Sequence, residues 1–195
     1  PFETRELKWR PDSSGLLFEH IERGFGAHRV IEIPVATGKA RTLIDETAET
    51  FVFVFGNSFR RDVNDLKEII WRSERDGWNH LYLYDGVTGK VKNQITKGQW
   101  VVREVVEVDE DKRQIIFRAA GREPGQDPYY LHTYRVNFDG TGLLRLTEGD
   151  GTHSTQVSPD KTVFIDTWSR VDLSPRHALR RVSDGKLLCE LETAD

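Results

Sequence analysis

HRVIEIPVATGKARTLI, residues 28–44, and NHLYLYDGVTGKVKNQI, residues 79–95, are two versions of one pattern set 51 residues apart, with Gly38 falling on Gly89 and Ile44 on Ile95. A third version, YLHTYRVNFDGTGLLRLTEG at 130–149, carries Gly140 another 51 residues on and aligns Leu146-Thr147-Glu148-Gly149 with Ile95-Thr96-Lys97-Gly98. A fourth, shorter version, HALRRVSDGKLLCELE, begins at His177 and brings Gly185 into the same place, 45 residues after Gly140. Each is an alternating apolar run, a Thr-Gly or Asp-Gly turn, and a second alternating run, which predicts a hairpin of two strands. Ahead of each hairpin lies a further apolar run, at 16–19, 68–72, 114–118 and 162–167, and runs at 50–55, 101–108 and 154–157 between the repeats supply another strand. Arg10-Pro11-Asp12 and Ser158-Pro159-Asp160 predict matching turns, because Pro fixes φ and Asp favours turn formation. Four antiparallel strands per unit of 45 to 51 residues is the arithmetic of a β-propeller blade. Val63, Leu66 and Ile70 carry helical spacing and allow a short turn of helix before Ile69, but no segment sustains that pattern. The expectation is therefore an all-β chain of about four antiparallel four-stranded blades, with units at 1–49, 50–98, 99–149 and 150–195. Because most of these blades are large and irregular, they read as half of an eight-bladed ring.

The 195 residues include 28 basic and 32 acidic side chains for a net charge of −4, with 37% apolar and 31% charged residues, one Cys and no Met. That composition fits an ordered domain rather than a disordered, collagen-like or disulfide-rich chain. No Lys/Arg block offers a footprint for nucleic acid. The longest strongly apolar stretch, 51–55, is far short of the roughly 20 residues a membrane-spanning helix needs. Cys189, flanked by Leu187, Leu188 and Leu191, is expected as a small core residue. Residue 1 is Pro, without an initiator Met or signal peptide, so the chain is expected to begin inside a longer gene product.

The stretch WRSERDGWNHLYL at 71–83, then Ile95-Thr96-Lys97-Gly98-Gln99-Trp100, the Pro-containing loop within 117–134, and Val157-Ser158-Pro159-Asp160 resemble the N-terminal propeller of the dipeptidyl peptidase IV family of serine peptidases. The resemblance extends over nearly the whole chain and is most specific over 68–170. It implies a larger enzyme, in which an eight-bladed propeller caps a C-terminal α/β-hydrolase domain of the same gene product that removes dipeptides from peptide N-termini. It also implies that the catalytic Ser, Asp and His lie in that hydrolase domain, and it points to a periplasmic or secreted location while leaving the cytoplasm open. The family's paired Glu residues, which hold the substrate amine, have no counterpart, since the sequence contains no Glu-Glu pair.

A search for chemistry within the chain finds little. Gly56-Asn57-Ser58-Phe59-Arg60 after a β-like run begins as a G-x-S-x-G nucleophile elbow does, but Arg60 stands where the second Gly must allow a tight turn. His153, near Asp150 and Ser154, reads as a solvated residue of a Gly-rich turn. Neither H-x-x-x-H nor H-E-x-x-H occurs, Asp109-Glu110-Asp111 lacks the rest of a calcium loop, and Gly24 and Gly26 read as a hairpin loop rather than a phosphate cradle, so no metal or cofactor is expected. Phe55, Phe59 and Arg60 are candidates to line a peptide-side cavity. In the loop from Ser73 to His80, the charges of Glu74, Arg75 and Asp76 are expected to face water while Trp78 and His80 pack between blades, Trp78 joining Trp100 in an inter-blade core. The alternative makes Glu74, Arg75, Asp76 and Trp78 rim contacts to substrate or to the hydrolase domain, with Arg122 and Asp127 of the loop GREPGQDP (121–128) in the same role.

Two functions compete. One is a non-catalytic propeller segment of a serine exopeptidase that restricts access to the active site and orients the hydrolase domain, with the peptide substrate of the parent enzyme as a further partner. The other is a propeller used purely as a protein-binding platform. Four blades of an open ring would leave two sheet faces bare, so a homodimer that closes head to tail is expected of the chain on its own.

Overall fold

The computed structural model describes residues 3–193, and within them the chain is sixteen strands with no helix. In order these are β1 (Glu3–Trp9), β2 (Gly15–Ile21), β3 (Ala27–Pro34), β4 (Arg41–Thr47), β5 (Arg60–Val63), β6 (Glu68–Ser73), β7 (His80–Asp85), β8 (Val91–Gln94), β9 (Val101–Asp109), β10 (Gln114–Ala120), β11 (Leu131–Asn137), β12 (Leu144–Arg145), β13 (Thr152–Val157), β14 (Val163–Arg170), β15 (Leu173–Arg181) and β16 (Leu187–Thr193). They form four four-stranded sheets, β1–β4, β5–β8, β9–β12 and β13–β16, each with its strands side by side in chain order and antiparallel. These are blades of a β-propeller.

The repeated hairpins are the third and fourth strands of each blade. Their turn glycines Gly38, Gly89, Gly140 and Gly185 all have positive φ, between 62° and 85°, a region closed to most side chains. At two of them the neighbour also excludes a side chain. A Cβ on Gly89 would stand 2.4 Å from the Leu43 carbonyl oxygen, and one on Gly185 would stand 2.8 Å from that of Leu146. The two Pro-Asp turns match as well: Arg10 N–H donates to Gly15 O and Ser158 N–H to Val163 O, while Asp12 and Asp160 accept from the N–H two residues on.

Two compact units divide the chain, Pro1–Asp76 with Leu81–Gln94, and Gly77–His80 with Ile95–Asp195. The first has a core of Leu17, Val30, Leu43, Ile44, Leu66, Ile69, Trp71, Tyr82 and Tyr84. In the second, Ile116, Leu146, Phe164 and Val182 cluster together, and Trp100, Phe117 and Tyr134 stack with centroids 5.6 to 6.3 Å apart.

Five expectations need correction. The run at 50–55 is not a strand; the first strand of the second blade is the short, charged β5, whose backbone pairs with β6 although its side chains carry no apolar alternation. The helical spacing at 63–70 belongs to a hairpin turn, in which Asn64, Asp65 and Leu66 all take left-handed φ values of 51° to 64°. Cys189 is exposed, and Leu187, Leu188 and Leu191 are 40 to 51% exposed, because β16 is the edge strand of its sheet among the described residues. Trp78 is 40% exposed, whereas Trp100 is buried. His153, far from being a solvated turn residue, is fully buried on β13 and bonded to Asp166.

Candidate functional site

In the first unit, the connections β2–β3, β4–β5 and β6–β7 come together at one end of the strands. Val52 N–H donates to Phe25 O at 2.7 Å, and Asn57 Nδ2 to Glu74 Oε1 at 2.9 Å. Arg72, buried on β6, gathers the long β4–β5 connection around its guanidinium: Nε donates to Asn57 O at 2.5 Å and Nη2 to Gly56 O and Ser58 O, both at 3.3 Å. These carbonyls satisfy the N–H donors of a buried cation and so fix the Gly56-Asn57-Ser58 turn. Ser58 Oγ donates to Val54 O at 3.2 Å, so its hydroxyl is committed to the turn rather than poised beside a base.

Of the cavity candidates, Phe55 is 59% exposed and Phe59 half-buried. Arg60 is turned inward, its side chain only 2% exposed, with Nε donating to Asp62 at 2.7 Å and Nη1 lying 3.9 Å from Glu19. Glu19 in turn bonds His28 Nε2 at 2.8 Å, and the His28 ring packs 4.7 Å from Trp71.

The loop after β6 is not simply a row of charges in water. Arg75 lies over the rings of Tyr82 and Tyr84, 4.6 and 5.4 Å from their centroids, and donates to Ser73 Oγ, to Glu46 Oε2 at 2.8 Å and to the Tyr84 hydroxyl. Burial works against its charge, but Tyr84 and the buried Glu46 outweigh it and hold the Arg75 pKa above the ordinary value. Burial likewise raises the Tyr84 phenol, and burial together with Asp76 raises that of Tyr82. Asp76 accepts from Gln94 at 2.6 Å and Glu74 is exposed. As expected, Glu74, Arg75 and Asp76 are all exposed, although Arg75 and Asp76 are also held by these side-chain contacts. At the opposite strand ends of this unit, a cavity of about 570 Å³ is lined by Arg10, Arg41, Lys67 and Glu32 among others, and Arg10 and Arg41 clamp the buried Glu32 carboxylate.

In the second unit, Arg122 lies over Trp100 and Tyr134, 5.9 and 5.1 Å from their centroids. Glu123 accepts from the Tyr134 hydroxyl at 2.7 Å and from Arg145. Burial opposes the Glu123 charge, yet Tyr134 and Arg145 hold its pKa low. Asp127 shapes its own loop, accepting from Tyr129 N–H at 2.9 Å. Gln126 fastens the loop further, bonding His132 Nε2 at 2.6 Å and Gly149 O at 3.3 Å. His132 packs 4.7 Å from His153, whose Nδ1 bonds Asp166 at 2.8 Å, and Arg180 donates to the other Asp166 oxygen. Burial first, then the nearby His153, pushes the His132 pKa down to about 4.

A regularity missed in the sequence runs through these clusters. His28, His80 and His132 recur at intervals of 52 residues, and each is buried near the start of the third strand of its blade. His80 and His132 also meet the same kind of partner, the Thr96 and Thr147 hydroxyls. The signal was present as spacing, but not in any catalytic or metal-binding motif. Among the described residues no group of three or more His, Cys, Asp or Glu side chains is arranged to hold a metal ion.

Comparison with known proteins gives these features a context. The family model of the dipeptidyl peptidase IV (DPP IV) N-terminal region matches residues 4–175. A dipeptidyl peptidase 4 of Trichophyton equinum is 33% identical over 89 residues, 46% of this chain and 11% of the relative. That of Arthroderma otae is 26% identical over 139 residues, 69% of this chain and 17% of the relative. Among solved structures, Porphyromonas gingivalis dipeptidyl peptidase 4 superposes on 98% of the chain with a TM-score of 0.77 at 18% identity, and a Bacteroides ovatus structure described as a dipeptidyl aminopeptidase IV superposes on all of it with the same score at 22% identity. The chain spans 26% and 29% of those two structures.

Proposed function

This chain belongs to the family of the dipeptidyl peptidase IV N-terminal region, and on that premise we propose that it is the non-catalytic propeller segment of a DPP IV-like serine exopeptidase. In this reading it limits access of peptides to the active site and packs on an α/β-hydrolase domain of the same gene product. The observation that carries the proposal is the family match over residues 4–175. The commitment of the Ser58 hydroxyl to Val54 O agrees with a nucleophile residing outside these residues.

The blade units at 1–49, 50–98, 99–149 and 150–195 would form part of an eight-bladed ring. Phe55, Phe59 and Arg60 are proposed to line the peptide-side cavity, and Glu74, Arg75, Asp76, Trp78, Arg122 and Asp127 to contact peptide or hydrolase domain from the rim loops. A homodimer is proposed for the chain on its own.

Assaying the full gene product tests gating. It is expected to cleave a short peptide with an accessible N-terminal dipeptide and to spare a folded protein carrying the same N-terminus. Equal turnover of both would refute gating, and no turnover of either would turn the reading toward a binding platform.

A further inference from the structure

Between β4 and β5 the chain runs through Phe51-Val52-Phe53-Val54-Phe55, with neither turn nor bend before Phe55. Exposure alternates as in a strand: Phe51, Phe53 and Phe55 are 56, 45 and 59% exposed and Val54 is 2% exposed. The three rings form an edge-to-face ladder with steps of 6.4 Å, and Phe25 extends it at 4.9 Å from Phe55. In an extended segment the main-chain groups of 51 and 53 point to one edge and those of 52 and 54 to the other, ahead of the turn that begins at Phe55. The second edge is used within the protein, by Val52 N–H to Phe25 O and by Ser58 Oγ to Val54 O. On the first edge, no hydrogen bond reaches the N–H or C=O of Phe51 or Phe53 among the described residues. Folded proteins blunt such free edges with Lys, Pro or bulges, and neither Lys nor Pro stands in 51–55.

Charge indicates what covers it. Residues 42–59 contain Asp45, Glu46 and Glu49 but no Lys, Arg or His. Asp45 is paired with Arg29 and Glu46 with Arg75. Exposed Glu49 precedes the strip, and exposed Glu74, tethered by Asn57, stands beyond its far end.

We propose that residues 51–55 are a β-augmentation edge for an extended segment of a separate polypeptide, one with apolar or aromatic residues at alternate positions and basic residues at its ends. Its main chain would pair with Phe51 and Phe53, its alternate side chains would cover the aromatic ladder, and its flanking cations would meet Glu49 and Glu74. The proposal requires no cleavage; it shares Phe55 and Glu74 with the peptidase reading, but its binding test needs no peptidase activity.

The test is fluorescence anisotropy of a labelled Lys-Lys-Phe-Thr-Val-Thr-Phe-Lys-Lys peptide titrated with the 195-residue chain. Two further peptides are N-methylated on one or the other alternate set of amides, and a fourth has Glu in place of Lys. Saturable binding is expected, weakened about tenfold or more by one methylation pattern but not the other, by the Lys-to-Glu exchange, and by Phe53→Ser in the chain. If Phe53→Ser loses its circular dichroism spectrum, the modified peptides still decide the matter on the unaltered chain. The proposal is overturned by absence of binding, by methylation patterns that act alike, by a Glu peptide that binds as well, or by a folded Phe53→Ser chain that binds undiminished. Light scattering supplies one more contrary result: self-association dispersed by Phe53→Ser without peptide binding would assign the edge to a second copy.

Discussion

Trp100 sits at the centre of the second unit, 6% exposed, stacked on Phe117 and Tyr134 and met edge-on by His80 at 4.7 Å. Truncating a buried aromatic side chain removes its contacts and leaves a cavity, so Trp100→Ala is expected to lower stability by about 3 to 5 kcal/mol. The more exposed Trp78 should tolerate the same change with much less loss; equal denaturation midpoints for Trp100→Ala and the unaltered chain would contradict the placement. His132 makes a prediction about acid. Its folded pKa of about 4 lies below the ordinary 6.5, so between those values the unfolded chain binds more protons. The contribution from keeping His132 neutral is therefore complete above pH 6.5 and is lost as pH falls toward 4. Glu123, also held below its ordinary value, adds a loss at the acid end of that range. Thermal melts across this window should show a falling Tm, and His132→Gln should flatten the fall between pH 6.5 and 5; an unchanged slope would show that His132 is not the group responsible. None of this was legible at His153, because its partner Asp166 lies on another strand and spacing along the chain does not reveal it.

At the scale of elements, the hairpins were readable because their determinants are local: alternation of period two on either side of a glycine that must take positive φ. The same local rule misled at 50–55, where alternation is present but no neighbouring strand of the described chain pairs with it. It also overlooked β5, whose RRDV sequence pairs through its backbone. Cys189 and its leucines have a core-like sequence, yet burial on an edge strand depends on what lies beyond it. The loops at 73–80 and 121–128 were located by sequence, but Arg75 over two tyrosines and Arg60 near Glu19 were not, since both depend on contacts across strands. The turn glycines make the testable case. Gly38 has open space around it, so Gly38→Ala should cost about 1 kcal/mol for the left-handed backbone alone. Gly89→Ala also drives a Cβ against Leu43 and should cost at least about twice as much. Similar urea midpoints for the two variants would remove the blade-to-blade contact from the explanation.

For the whole molecule, the fourth sheet leaves one face open. Ile165, Leu179 and Cys189 lie in register across β14, β15 and β16, and Ile165 and Leu191 are 36 and 51% exposed. Exposed apolar faces of this kind drive association. The isolated chain is expected to form dimers or larger species at micromolar concentration, with Cys189 labelled by a thiol reagent more slowly as concentration rises and with Ile165→Lys restoring a monomer. A monomer labelled at one rate at all concentrations would contradict the open face. On the peptidase reading proposed above, this segment serves peptide hydrolysis without supplying the nucleophile. The most direct test of that reading is active-site labelling with a fluorophosphonate, applied to the full gene product and to residues 1–195 alone, followed by peptide mapping. The account predicts a labelled serine in the full product that lies outside residues 1–195 and no label on the isolated chain; a label on Ser58, or on any serine within these residues, would contradict it.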